Sequence, residues 1–436
     1  MTPAGELPRR LGLLDSAAIV VGTIIGSGIF VVPNLVARSL PSEPWIVAAW
    51  VFTGVLSFFG ALAYAELGAM IPATGGQYVF LREAYGPLFG FLCGWTYFFV
   101  VISAAIAWLS ITFATYLGYF VPLTPLLSKA VAVGLIAAVT LVNYRGVAVG
   151  AAVQKTFTLM KILGLAVLVG AAFLSARHQA APAGAPSGPG AVTLSGFGVA
   201  MIACLLSYDG WVALSFLAGE VKNPKRNLPL ALALGLALAV AIYVLANLAY
   251  LRVLTVAEIA ATPRVAALVA ERTMGQAAGA FVSGAILLSI VGAINGWAMT
   301  APRIYFAQAR DGLFFRRFAA IHPRFQTPHL SILMFGAWSA LLAVTGTYET
   351  LAAYAMFAAW VFYGLTSLGV VALRRAQPLR ERPYRMTGYP VTLVVFLAVA
   401  LGFVVNTFLA TPGPAIVGTL LIAAGVPVYF IWKNKQ

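Results

Sequence analysis

A chain of 436 residues with 61% hydrophobic and only 9% charged residues cannot cover a soluble fold of that size with polar surface. Its mean hydropathy of +0.94 predicts a polytopic, all-α membrane protein. The formal charge of +15 would suit a nucleic-acid partner, but the placement of that charge argues against the class.

Apolar segments fall at 14–37, 45–71, 87–118, 126–143, 150–175, 197–220, 228–251, 279–308, 329–345, 350–373, 389–409 and 415–432, which makes twelve spans by the rule of about 20 residues per crossing. With the N-terminus on the cytoplasmic side, eighteen of the 27 basic residues collect there. Six lie on the other side, and Lys155, Lys161 and Arg303 lie within spans. This bias predicts both termini in the cytoplasm of a multi-pass inner-membrane protein. The first apolar segment lacks a small-residue cleavage pattern and is read as a retained helix, not a signal peptide. Cys93 and Cys204 fall inside apolar segments, against a disulfide framework.

After a short lead, the first span is interrupted by Ile25, Gly26, Ser27, Gly28, Ile29 and Phe30. Glycines are poor helix formers, and a broken helix is tolerated in hydrocarbon only where the freed N–H and C=O groups line an enclosed cavity. The sixth span carries a second break, Ser207, Tyr208, Asp209, Gly210 and Trp211. Two interrupted helices in corresponding halves of a chain point to a transporter binding site, here one for a small zwitterion. The blander reading is that the glycines let two helices pack closely. Glu66 ends the second span and is read as a paired or solvated helix end, and Gln77 to Tyr85 as a short interfacial helix.

In the fifth span, Lys161 lies eleven residues beyond Gly150, about 16 Å into the helix and near mid-bilayer. Lys155 is close enough to the end to snorkel; an ammonium at the depth of Lys161 needs carbonyls or an acid and marks a functional site by default. Residues 176 to 194, rich in Ala, Pro and Gly, read as a loop dividing two five-span sets. An odd number of spans inverts the second set. The division predicted is 1–175 for the first set, 176–196 for an extracytoplasmic linker, 197–385 for the second set and 386–436 for two accessory helices. After the seventh span, Thr255 with Glu258 reads as a capping box, and Thr262 with Pro263 as a second helix start. These two short helices would form a lid. Asp209 either caps the inner half-helix or faces the pocket, where it would favour cationic substrates such as arginine or polyamines.

The ordered set of Val21–Phe30, Tyr64–Gly68, Ser207–Trp211 and Asn223–Pro229 resembles the amino acid, polyamine and organocation superfamily, and within it the L-type amino-acid transporters of bacteria. Asn247–Tyr250, Ile321–Pro323 with Thr327 and Pro328, and Glu381–Pro383 extend the likeness to about residue 385. The resemblance implies a LeuT-type fold of twelve helices, with two inverted five-helix repeats and spans one and six unwound at mid-membrane. It implies that amides of Ser27, Gly28 and Ile29 bind the substrate carboxylate at a helix N-terminus. Carbonyls of Ile24, Leu205, Leu206 and Ser207 would accept from the α-ammonium, with Gly26, Tyr208, Asp209 and Trp211 beside them. Lys161 matches a lysine whose ammonium takes the place of a sodium ion between spans one, five and eight. Tyr243 matches a tyrosine on the substrate path. Leu206 stands where many relatives carry an aromatic gate, and the loop between spans three and four has no cysteine for a disulfide-linked heavy chain. Asn295 and Tyr363 are further candidates near the pocket.

The function expected is sodium-independent exchange of neutral L-amino acids by alternating access, with proton-coupled symport or cationic amino-acid or polyamine antiport as alternatives. A channel is the third reading. An enzyme using Ser27 lacks a base, since His178, His322 and His329 lie in or at the edge of loops, and no metal or cofactor is expected.

Overall fold

The computed structural model describes residues 7–175, 192–346 and 348–433, and their regular structure is helical. Most of the predicted linker, 176–191, lies outside the described residues. The first span is two helices, α1 (Leu13–Ile24) and α2 (Gly28–Ser39), meeting at 44° across three non-helical residues. There follow α3 (Glu43–Met70), the short α4 (Gln77–Tyr85), α5 (Pro87–Thr96), α6 (Ile102–Leu117), α7 (Pro125–Tyr144) and α8 (Val147–Leu174). The second half holds α9 (Leu194–Tyr208), α10 (Ala213–Phe216), α11 (Pro224–Val253), α12 (Val256–Ala261), α13 (Val265–Met274), α14 (Ala278–Thr300) and α15 (Pro302–Arg310). The last four are α16 (His329–Thr345), α17 (Tyr348–Ala376), α18 (Val391–Ala410) and α19 (Pro412–Lys433).

Among the described residues, ten helices are long and apolar enough to cross a membrane, and eleven if the bent α1–α2 pair counts as one span. The segment expected at 329–345 is the shorter apolar helix α16, of 17 residues.

Helix starts follow local chemistry. Pro87, Pro125 and Pro224 sit at first helical positions, where the missing N–H is an orphan anyway. Thr124 and Thr193 accept from Leu127 N and Gly196 N as N-caps. The Thr255–Glu258 box closes in both directions, and Arg272 adds an ion pair to Glu258. That guanidinium holds the Glu258 carboxyl down at about 2. The neighbouring expectation needs correction. The next helix is capped at Arg264 and starts at Val265, because Thr262 spends its hydroxyl on Arg264 N two residues on, making a turn before the helix instead of a cap.

Pro33 inside α2 removes the N–H that would have served Ile29 O. Tyr250 hydroxyl of α11 lies 3.4 Å from that freed carbonyl. α1 is enclosed by α8, α11 and α14, while α2 packs on α9 and on the short helices α12 and α13. Asn34 Nδ2 donates to Ile259 O and Ala260 O at 2.8 and 2.9 Å, tying α2 to the last carbonyls of α12.

Candidate functional site

Helical geometry stops at Ile25 and resumes at Gly28, leaving a break lined by backbone. Ser27 is the N-cap of α2, so the first amides of that helix have no intrahelical acceptor and carry its positive end. Gly26 N donates to Ile24 O at 2.8 Å, and Phe30 N to Ser27 O at 3.1 Å, which tightens the turn without using the amides of Ser27, Gly28 or Ile29. The predicted carboxylate donors therefore share one helix N-terminus.

Lys161 meets the break from α8. It is 1% exposed, and its Nζ donates to Gly22 O at 2.9 Å, Ile25 O at 2.6 Å and Ser289 O at 3.1 Å. Three N–H groups meet three carbonyls, which is the full donor capacity of an ammonium. The acceptors come from α1, the break and α14. Ser289 Oγ lies 3.0 Å from both Ile25 O and Gly26 O, so α14 holds the break a second time. The close approach depends on Gly292, where a Cβ would lie 2.9 Å from Lys161 Nζ.

The second break starts later than the sequence suggested. Ser207 and Tyr208 are the last residues of α9, and the chain leaves the helix at Asp209 (ψ 153°) and Gly210 (φ +116°). Glycine is required there by both the left-handed φ and the packing, since a Cβ would lie 2.9 Å from Thr23 C and O. The helix survives through Tyr208 because its ring is wedged against Trp50 and Tyr243 and its hydroxyl donates to Trp50 O. The carbonyls of Leu205, Leu206 and Ser207 thus sit in a last helical turn, at its negative end. The breaks touch at Gly28, where a Cβ would be 3.0 Å from Ser207 Cα.

Tyr243 joins the breaks, with its hydroxyl 2.9 Å from Ile24 O and 3.1 Å from Ser207 O. One hydroxyl proton serves one carbonyl at a time. Asp209 accepts from Tyr363 hydroxyl at 2.7 Å, and Trp211 packs between Tyr64, Tyr363 and Phe396. Leu206 is partly buried against the core.

Asn295 donates to Gly150 O and Gln154 Oε1 and accepts from Asn143 Nδ2. Lys155 pairs with Asp15 at 2.8 Å. Glu66 is a paired helix end, receiving Arg374 through two nitrogens and the Met386 amide.

Two features escaped the sequence. Glu220 and Arg303 form a wholly buried ion pair, Nε to Oε1 at 2.7 Å, and the Glu220 carbonyl also receives the Arg10 and Leu11 amides of the lead. A pair of opposite charges within apolar segments was the available signal. The other is a π-helical turn, Tyr97–Val101, in the third span. Such turns cluster at functional sites, but this one lies in a run of uniformly apolar residues with no periodic mark.

An amino acid permease family model matches residues 11–432. The chain is 32% identical to the human b(0,+)-type amino acid transporter 1 over 443 residues, covering 99% of this chain and 89% of that protein. It is 32% identical to the serine/threonine exchanger SteT of Bacillus subtilis (strain 168) over 439 residues, with 100% and 99% covered. The human Asc-type amino acid transporter 1 is 30% identical over 443 residues, with 98% and 84% covered.

Proposed function

The chain belongs to the amino acid permease family, and from that premise we propose that it exchanges neutral L-amino acids across the cell membrane without sodium. It is a transporter and not an enzyme. The observation that carries the sodium-independent reading is the Lys161 ammonium, saturated by carbonyls of α1, the break and α14. A fixed cation at that junction does what a bound metal cation would do, namely neutralise the convergent carbonyl dipoles and hold the break in shape.

The substrate carboxylate then lies on the amides of Ser27, Gly28 and Ile29, an interaction of about 0.3–1 kcal/mol from the helix dipole alone and more when desolvated. Its α-ammonium lies against Ile24 O and the last carbonyls of α9, one of which Tyr243 always leaves without its proton. Backbone thus reads the groups common to all amino acids. Side-chain selectivity falls to the surrounding wall, to which Leu206 contributes a smaller surface than an aromatic would. The rest of the reading is a LeuT-type arrangement of twelve spans in two inverted repeats, both termini cytoplasmic, with no disulfide-linked partner. In it α1–α2 and α9–α10 are the corresponding broken helices.

Counterflow in proteoliposomes tests this. Vesicles loaded with unlabelled alanine, serine, leucine or arginine are offered the labelled counterpart without sodium or a pH gradient. Uptake only into vesicles loaded with a neutral amino acid supports the proposal. Uptake into empty vesicles driven by an inward proton gradient replaces it with symport, and selective uptake into arginine-loaded vesicles replaces it with cationic exchange.

A further inference from the structure

A cavity of about 330 Å³ lies between the lead before α1, the turn joining α3 to α4, α4 itself and the end of α15. Three arginines line it, Arg9 from the lead, Arg82 from α4 and Arg310 from α15, with Thr74 beside them and one acid, Asp311. That acid is already engaged. Arg82 Nη1 and the Tyr78 hydroxyl both donate to its Oδ2, the hydroxyl at 2.5 Å. Arg82 also meets Glu83 at 3.4 Å, so its charge is offset within the fold. Arg9 and Arg310 are exposed and have no acidic partner among the described residues. Arg310 instead lies over the Phe306 ring, 5.8 Å from its centroid, which steadies the side chain without cancelling its charge.

Membrane topology asks for an excess of basic residues on one face, and arginines spread through water satisfy it. It does not ask that three arginines border one cavity, where like charges repel. A concave site lined by one sign of charge concentrates counter-ions of the other. Guanidinium forks match the oxygens of a phosphate group, to which Thr74 can add a hydroxyl. The volume falls at the lower end of the range of about 300–1,000 Å³ for small-molecule sites, with room for an organic part beyond the phosphate.

We propose that this cavity is a binding site for a phosphate monoester, with the phosphate held between Arg9 and Arg310 and the organic part in the remaining volume. A monoester carries a charge of about −1.5 to −2 at neutral pH, which balances the two guanidiniums left without an acid. A diester, with a single negative charge, balances one. The occupied site has a mechanical consequence. The lead already binds the segment before α11, with the Arg10 and Leu11 amides on Glu220 O and the Lys222 amide on Leu11 O, and α1 begins two residues later at Leu13. A phosphate shared by Arg9 and Arg310 ties the start of α1 to α15 as well.

The test titrates the full chain, in detergent without added lipid and at constant ionic strength, with glycerol 3-phosphate by calorimetry. Glycerol and chloride are the controls. Saturable binding of glycerol 3-phosphate alone is expected, weakened about five- to tenfold in Arg9→Gln and in Arg310→Gln, the scale of one charge-assisted contact at a partly exposed site. A second arm offers the same group as a headgroup, phosphatidic acid in phosphatidylcholine nanodiscs, with retained lipid read by native mass spectrometry. Retention of phosphatidic acid over phosphatidylcholine that falls in both variants, without binding of glycerol 3-phosphate, supports the site and assigns the monoester to a lipid. Neither probe exceeding its control, or binding that both variants leave unchanged, would overturn the assignment. Unliganded melting temperature reports whether the variants fold; if Arg310→Gln does not, Arg9→Gln on the lead decides by itself.

Discussion

Replacing Gly292 by alanine probes the lysine junction without touching the lysine. Its Cβ would stand 2.9 Å from Lys161 Nζ, 3.2 Å from Cε and 3.1 Å from Phe157 Cβ. Ordinary contacts need about 3.5–4.0 Å, so the ammonium must withdraw by about half an ångström or more. The bond to Ser289 O, already the longest of the three at 3.1 Å, passes the useful limit first. Losing one hydrogen bond from a charged group costs about 1.5–3 kcal/mol. At about 1.4 kcal/mol per decade, that is a loss of about ten- to a hundredfold in exchange if the junction must be intact when the break moves. Helix propensity acts in the opposite direction, since alanine is better than glycine in a helix interior by about 1 kcal/mol. Gly284, on the same helix with nothing within 4 Å, is the control and should tolerate alanine without effect. Counterflow rates, normalised to reconstituted protein, give the answer. Wild-type exchange in Gly292→Ala would refute the view that the three-carbonyl site is needed in the cycle.

The two glycines of the first break should behave differently. Gly26→Ala meets nothing closer than 3.7 Å and should keep most of its transport, whereas Gly28→Ala strikes Ser207 and should lose about tenfold or more in counterflow, the scale of about 1–3 kcal/mol for overpacking; equal rates would show that the breaks need not touch. Glu220→Ala leaves Arg303 buried and unpaired, at a cost of about 3–5 kcal/mol, and should sharply reduce folded yield and melting temperature. The double change Glu220→Leu with Arg303→Met should recover much of that loss, and a double variant no better than the single would argue against the pair as the cause. The Arg272 guanidinium holds Glu258 at about 2 against an ordinary 4.5, so its contribution to the α12–α13 pair is present above 4.5 and fades as pH falls toward 2. Hydrogen exchange over 255–274 should therefore lose protection across that window in the wild type and stay flat in Glu258→Gln; protection that grows on acidification would reverse the assigned sign.

The features legible in the sequence share a local cause. Gly26 and Gly28 mark the first break because glycine is conspicuous in an apolar run; the break opens at Ile25 as read, but it closes at Ser27, three residues short of Phe30, because Gly28 already begins α2. Lys161 is legible from depth alone, as no uncompensated ammonium persists there. Its three acceptors are not, because backbone carbonyls from α1, the break and α14 carry no side-chain signature. The second break was placed two residues early since Tyr208 is held helical by Trp50 and Tyr243, contacts from distant spans. Tyr243 was visible only through the family likeness; its position between Ile24 O and Ser207 O depends on the meeting of α1, α9 and α11. Thr262 shows the limit of cap reading, since the same hydroxyl can start a helix or close a turn.

The most direct test of the account is sodium-free counterflow of wild type and Lys161→Ala side by side, repeated with sodium added. The account predicts exchange in the wild type that sodium does not change, and little or none in the variant at comparable levels of folded protein. Sodium-dependent exchange in the wild type, or wild-type rates in Lys161→Ala, would contradict it.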